Sequence, residues 1–113
     1  MTKLLMELAD KIILLYTNPK QFEKWLLRSC KRADIRSFEK VNDRYVVDGG
    51  HIVKIIDPAK DPITNFNNLA KAMYEIFWNI LPDYEEAVQK LQKWWKNQQK
   101  RTANTHKEHV NGQ

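Results

Sequence analysis

The sequence contains little of what disulfide-rich and membrane-spanning proteins need. Its single cysteine, Cys30, excludes an intramolecular disulfide framework and is typical of a reducing compartment. No run of residues is long and apolar enough to cross a membrane. Glu7 and Asp10 interrupt the apolar N-terminal residues, and no small-residue cleavage site follows them. We therefore expect a soluble, cytoplasmic protein without a signal peptide.

The residues that are present predict one small folded domain. Hydrophobic residues make up 42% and aromatic residues 11% of the 113-residue chain, which argues against intrinsic disorder. A chain of this length can bury a modest core. The formal net charge is +5 at pH 7, and this basic balance mildly favours polyanionic partners.

The first part of the chain shows two helical patterns. Apolar residues at helical spacing predict a helix over residues 2–16. Asn18 and Pro19 are typical of the cap and the first position of a second helix, and Gln21 completes a capping-box spacing. The second helix would bury one face, formed by Phe22, Trp25, Leu26 and Ser29.

The middle of the chain predicts one β-hairpin. Residues 32–43 are polar, and we interpret Ile35 and Phe38 as anchors of a short helical turn there. Strand-forming residues at 45–47 and 52–53 then flank a turn at Asp48-Gly49-Gly50. The glycines of this turn tolerate the positive φ that a tight hairpin requires.

Two further helices are predicted after the hairpin. The first begins at Leu69 and carries the apolar residues Leu69, Met73, Ile76, Phe77 and Ile80. Pro82 ends it and can open the last helix, whose stripe consists of Tyr84, Val88, Leu91 and Trp95. The predicted fold class is thus mainly α with one β-hairpin. A bundle of about four helices spans residues 1–101, and 102–113 form a disordered tail.

Two Asp-Pro pairs separate the hairpin from the helix at Leu69. Each proline fixes its own φ and favours an extended conformation in the residue before it, so this segment ends a strand at a defined angle. The structural interpretation is that Asp57 and Asp61 accept backbone N–H bonds and that Asn67 or Asn68 caps the next helix. Contact with a ligand is the alternative.

The same segment resembles a loop in the C-terminal helical domain of oligoadenylate synthases, and bacterial cyclic-dinucleotide synthases carry a similar loop. The resemblance consists of an apolar pair, two Asp-Pro pairs and an Asn pair, here Ile55, Ile56, Asp57, Pro58, Asp61, Pro62, Asn67 and Asn68. A few extra residues separate the first proline from the Asn pair. The resemblance implies a helical lobe that packs against a separate catalytic lobe.

The resembled enzymes polymerise ATP with magnesium. They use a Gly-Ser loop for the triphosphate and paired carboxylates for the metal ions, which hold the attacking and leaving oxygens. This chain has no Gly-Ser pair and no Asp-x-Asp, and prolines separate Asp57 from Asp61. We therefore expect no catalytic residue, metal site or cofactor in this chain. The resemblance implies a supporting domain that contributes to double-stranded RNA sensing in antiviral innate immunity.

Two groups of basic residues suggest a partner directly. The first lies opposite the apolar face of the second helix and extends along about 16 Å of it; it consists of Lys20, Lys24, Arg28 and Lys31. The second, beside Trp94 in the last helix, consists of Lys93, Lys96, Lys100 and Arg101. Both could contact the phosphates of double-stranded RNA. The alternative is that each is the solvated back of an amphipathic helix.

Other reactive residues favour structural roles. Cys30 lies at the edge of an apolar helix face and is interpreted as a structural thiol rather than a nucleophile. His106, Glu108 and His109 have a metal-like spacing, but the predicted tail is too polar to hold a rigid site. His51 is interpreted as a solvated turn residue.

Two alternatives to the supporting domain remain open. One is a stand-alone helical module that binds RNA or a protein partner. The other is a domain that needs a missing lobe for solubility, because Trp78, Trp94 and Trp95 are hard to bury together in a small core. Self-association would favour that third hypothesis, and the oligomeric state stays open.

Overall fold

The computed structural model describes residues 4–74 and 82–111, with side chains as far as Lys100. Four helices and three strands form in these residues. In chain order they are α1 (Leu4–Thr17), α2 (Pro19–Lys31), β1 (Ser37–Val41), β2 (Arg44–Asp48), β3 (Val53–Ile56), α3 (Pro62–Tyr74) and α4 (Tyr84–Asn111). The predicted fold class, mainly helical with a small β component, is confirmed.

The first two helices follow the predicted pattern. The Asn18 side chain accepts a bond from the backbone N–H of Gln21, and Pro19 occupies the first position of α2. Proline is tolerated at this position because the backbone N–H that it lacks would have no partner within the helix. The buried residues of α2 are the four predicted ones, Phe22, Trp25, Leu26 and Ser29.

The sheet contains one strand more than predicted. Strand β1 occupies part of the segment interpreted as a short helical turn, and it pairs antiparallel with β2, which pairs antiparallel with β3. A two-residue turn at Asn42 and Asp43 joins β1 to β2, and Asn42 has a φ of 58°. Asparagine tolerates this left-handed backbone, so the turn forms and the cross-strand bonds favour extended chain over a helical turn.

Helix α3 begins seven residues earlier than predicted, at Pro62 rather than Leu69. Asp61 caps it, so proline again occupies the first helical position. The predicted apolar residues Ile76, Phe77 and Ile80, like Trp78, lie outside the described residues. Helix α4 continues to Asn111 and so enters the segment predicted as a disordered tail, because extending a packed helix costs little once it is nucleated.

Helices α2 and α3 contact the sheet, whereas α1 and α4 pack on other helices and not on the strands. The core joins the helices to the inner sheet face, formed by Tyr45, Val47 and Ile56. Its largest fully buried helical side chains are Leu5, Leu8, Ile12, Leu15, Phe22, Leu26, Phe66, Leu69 and Leu91. None of the described helices combines the length and the apolarity that crossing a bilayer requires.

Candidate functional site

The Asp-Pro corner, residues 57–62, is held in place by one buried side chain. Asn65 lies in the first turns of α3 and is completely buried. Its Oδ1 accepts the Asp57 N–H at 2.9 Å, and its Nδ2 donates to the Asp57 carbonyl at 2.8 Å. The amide thus bonds both backbone polar groups of Asp57, as a neighbouring strand would. This fixes the angle at which β3 leads into α3.

Tyr16 at the end of α1 completes this network. Its hydroxyl accepts from Asn65 Nδ2 at 2.6 Å and donates to the Lys60 carbonyl at 2.5 Å. Burial raises the pKa of Tyr16 to about 12, and the bond from Asn65 opposes this rise. The phenol therefore stays protonated and can donate to the corner. The corner is bonded to α1 as well as to α3.

The two aspartates of the corner bind the backbone, as the structural interpretation predicted. Asp57 Oδ1 accepts the N–H of Ala59 at 2.9 Å. Asp61 accepts the Thr64 N–H at 3.0 Å and the Thr64 hydroxyl at 2.6 Å. These bonds, the hydroxyl bond first, hold the pKa of Asp61 below its ordinary value. Pro58 lies in the turn, and Pro62 is buried at the start of α3.

The prediction that Asn67 or Asn68 caps α3 is wrong, because both lie inside the helix that Asp61 already caps. Asn67 Oδ1 accepts a long bond from the Tyr84 hydroxyl at 3.5 Å, and Asn68 Nδ2 donates to the Ile55 carbonyl at 3.4 Å. Both side chains are half-buried. Asn67 therefore faces α4, and Asn68 covers part of the open edge of β3.

The α2 basic row, defined as Lys20, Lys24, Arg28 and Lys31, is exposed along its length. Three cations elsewhere have acidic partners: Lys40 pairs with Glu23, Lys90 with Asp10 and Arg32 with Asp34. Within the described residues, no carboxylate forms an ion pair with a member of the row. Lys20 only helps to lower the pKa of Glu23, an effect that comes mainly from Lys40. Within the part of the chain that the structure describes, the row therefore presents positive charge that no ion pair neutralises.

The basic residues of α4 are separated from its tryptophans. Lys93, Lys96 and Lys100 are exposed, whereas the rings of Trp94 and Trp95 contact Tyr16 at centroid distances of 5.6 and 5.5 Å. By the helical period these lysines point away from the aromatic face. Trp94 therefore packs against α1. The Arg101 side chain lies outside the described residues, as do those of His106, Glu108 and His109.

An open cavity of about 640 Å³ borders α1 and α2 near the end of α3. Arg28 contributes to its wall together with carboxylates and cations, namely Glu7, Asp10, Asp34, Lys11 and Arg32. Tyr74 lies there too, and burial raises its pKa to about 12. Because charges of both signs line the cavity, it does not select an anionic or a cationic ligand.

The remaining reactive side chains do not form a site in the described residues. Burial raises the pKa of the half-buried Cys30 thiol, which disfavours the thiolate. The His51 ring contacts the carbonyls of Gly49 and Lys71 at 3.1 and 2.7 Å, so this exposed residue joins the hairpin to α3 rather than being only solvated. No group of three His, Cys, Asp or Glu side chains there has metal-binding geometry.

Sequence reasoning missed Asp83. This buried carboxylate accepts the N–H groups of Leu5 and Met6 at 2.8 and 3.0 Å, so it caps α1 from the start of α4. An aspartate just before a helix signals a cap for that helix, but nothing local indicates that it caps another. Sequence reasoning also overlooked the Asp-x-Glu spacing of Asp83 and Glu85, which it took to be absent from the chain. Because Asp83 precedes α4 and Glu85 lies in its first turn, the two do not share one face of a strand as paired metal ligands do.

Comparisons of the chain with protein-family models, with curated proteins and with solved structures found no match in any of the three.

Proposed function

We propose that this chain is the non-catalytic helical domain of an oligoadenylate-synthase-like nucleotidyltransferase and that it binds double-stranded RNA through the α2 basic row. In this role it supports a catalytic lobe in antiviral sensing and transfers no nucleotide itself. The observation that carries the RNA-binding part is the exposure of four cations on one helix face, none of which forms an ion pair with another described residue. The firmly bonded Asp-Pro corner supports the family part.

The geometry of the row suits a duplex. Successive members follow one another along α2 over about 16 Å, a length over which several phosphates of a duplex can be contacted. Lysine and arginine at such positions contact phosphates and carry no sequence information. Recognition would therefore depend on the shape and charge of A-form RNA.

Salt-titrated binding tests the RNA-contacting part. We expect fluorescence anisotropy with a labelled duplex of about 16 base pairs to show affinity that falls steeply with salt. Lys24→Ala with Arg28→Ala should weaken binding about tenfold and lower the salt slope by about two, because two phosphate contacts are lost. The matched control, Lys60→Ala with Lys71→Ala, removes two exposed lysines outside the row. Equal losses in both pairs, or no loss, would contradict the assignment.

A second experiment tests the absence of catalysis. The purified chain should form no nucleotide polymer from ATP in the presence of magnesium and duplex RNA. Chromatography of the nucleotide products measures this directly. Turnover that persists after repeated purification would overturn the non-catalytic assignment and leave the RNA-binding assignment untouched.

A further inference from the structure

The outer face of the sheet is unusually apolar. Alternation along the strands places Val46 and its cross-strand neighbour Ile55 on the face opposite the core, together with Val41 and Val53. Val41, Val53 and Ile55 are 42%, 55% and 49% exposed. A solvent-facing side of an antiparallel sheet is ordinarily polar. Exposed apolar residues that share one sheet face are suited to contact with another surface.

The described helices leave this face open, because the strands join the buried core only through their inner residues. The inner residues Tyr45, Val47 and Ile56 are at most 2% exposed, whereas the outer Val41, Val53 and Ile55 are exposed and Val46 is half-buried. The two outer charged residues of β2 are Arg44 and Asp48, which lie on either side of Val46. Neither forms an ion pair with another described residue.

We propose that the outer sheet face binds a second copy of the chain in a weak, face-to-face dimer. The two-fold axis lies between the two faces, above Val46, and runs perpendicular to the strands. It brings Arg44 of each copy opposite Asp48 of the other. It also brings Val46 against Val46 and Ile55 against Ile55. Such an interface is self-complementary, as a two-fold contact must be. Two antiparallel sheets commonly pack in this way, with their strands within about 30° of each other.

The same axis brings Glu39 near its own copy, because Glu39 pairs with Val46 across β1 and β2. Two facing carboxylates oppose association, so this residue limits the affinity. The face is also small, because it extends only about 15 Å in each direction. Its area of about 225 Å² is well below the roughly 800 Å² per partner of a standard interface. We therefore expect weak association, with a dissociation constant on the order of 0.1–1 mM.

Sedimentation velocity on the full chain, without RNA, tests the proposal. The weight-average mass should rise towards that of a dimer between about 20 µM and 1 mM. Ile55→Lys should weaken association at least about tenfold, because it buries an unpaired charge. Leu27→Lys is the matched control, since Leu27 is 52% exposed on α2, away from the sheet. A wild-type chain that stays monomeric over this range would overturn the proposal.

Charge exchange tests the predicted symmetry. Arg44→Asp should weaken association about tenfold, and adding Asp48→Arg should restore it to within about threefold, because the pairs re-form with opposite sign. Glu39→Gln should strengthen association about threefold by removing the facing carboxylates. Circular dichroism and melting temperatures confirm folding of each variant. If the dissociation constant is the same in all three variants as in the wild type, the dimer forms through another surface, which also overturns the proposal.

Discussion

Gly49 and Gly50 are neighbours in the loop between β2 and β3, but they are required for different reasons. Gly50 has a φ of +88° with open space around it, so its backbone conformation is what favours glycine. A Cβ on Gly49 would lie 2.1 Å from the Ala72 carbonyl oxygen in α3. Gly49 is therefore required because the loop packs directly on the backbone of a helix.

The two glycines should respond differently to alanine. Gly49→Ala should lower the free energy of unfolding by about 2–3 kcal/mol, since the loop must move away from α3. Gly50→Ala should cost only about 1 kcal/mol, the usual cost of a left-handed conformation in an L-residue. Urea denaturation followed by circular dichroism measures both. Equal costs would show that the loop does not contact α3 so closely.

Ala33 occupies a position that normally favours glycine. Its φ is 66°, and it follows Arg32, the C-cap of α2. The N–H groups of Ala33 and Asp34 donate to the carbonyls of Cys30 and Ser29 at 3.1 and 2.9 Å. This is the Schellman arrangement, in which the residue after the cap is left-handed.

Ala33→Gly should therefore stabilise the protein. The substitution removes about 1–2 kcal/mol of left-handed strain and costs less than 1 kcal/mol in unfolded-chain entropy, for a net gain of about 1 kcal/mol. Ala59→Gly is the matched control, because Ala59 is exposed and has no positive φ. It should destabilise slightly. A melting temperature that rises for Ala59→Gly but not for Ala33→Gly would contradict this explanation.

At the scale of elements, local signals predicted the helices and one hairpin but missed one strand and misplaced one helix start. The Asn18-Pro19 signal located α2 because a cap and a first position are both local. Strand β1 was missed because nearly all of its residues are exposed, so its sequence does not alternate between buried and exposed positions. It forms a strand because it pairs with β2. The start of α3 was placed too late because two Asn residues resembled a cap, whereas Asp61-Pro62 supplies the same signal earlier.

The Asp-Pro corner depends on Asn65 more than on either proline-linked aspartate. Asn65→Leu should lower the free energy of unfolding by about 3 kcal/mol, because the buried N–H and carbonyl of Asp57 lose their partner. Asn68→Ala is the control, since Asn68 makes one long bond to β3 and should cost less than about 1 kcal/mol. Denaturant unfolding measures both variants, and similar costs would contradict a special role for Asn65.

The cap of α3 predicts a pH dependence. The Thr64 hydroxyl bond keeps the folded-state pKa of Asp61 below its unfolded value. The stabilisation is therefore present above the unfolded pKa, about 3.9 for aspartate, and is lost as the pH falls through the lower folded pKa. The stability difference between wild type and Asp61→Asn should narrow below about pH 4. When both proteins also carry Thr64→Val, their stability difference should change less with pH, because the Thr64 hydroxyl bond is absent. A stability difference between wild type and Asp61→Asn that does not change with pH would contradict the prediction.

At the scale of the whole molecule, the contacts that hold the helices and the sheet together join residues far apart in the chain. The sequence predicted the exposed α2 basic row correctly as a helix face, because a face depends only on the helical period. It could not predict the contact of Tyr16 with Asn65, which links residues 49 positions apart. Nor could it predict the apolar outer sheet face, because that requires knowing on which side of the sheet the helices lie.

Asp83 gives the sharpest whole-molecule prediction. Its buried carboxylate binds the first free N–H groups of α1, 78 positions away, while its backbone carbonyl accepts from Ala87 in α4. Asp83→Ala should lower the free energy of unfolding by about 2–3 kcal/mol, because two charge-assisted bonds and a favourable helix-dipole interaction are lost. Asp10→Ala breaks the exposed Asp10–Lys90 pair between the same two helices and should cost less than about 1 kcal/mol. Calorimetry of both variants measures this difference. If Asp10→Ala costs as much as Asp83→Ala, α1 and α4 are held together by surface charge, and the long-range cap has no special role.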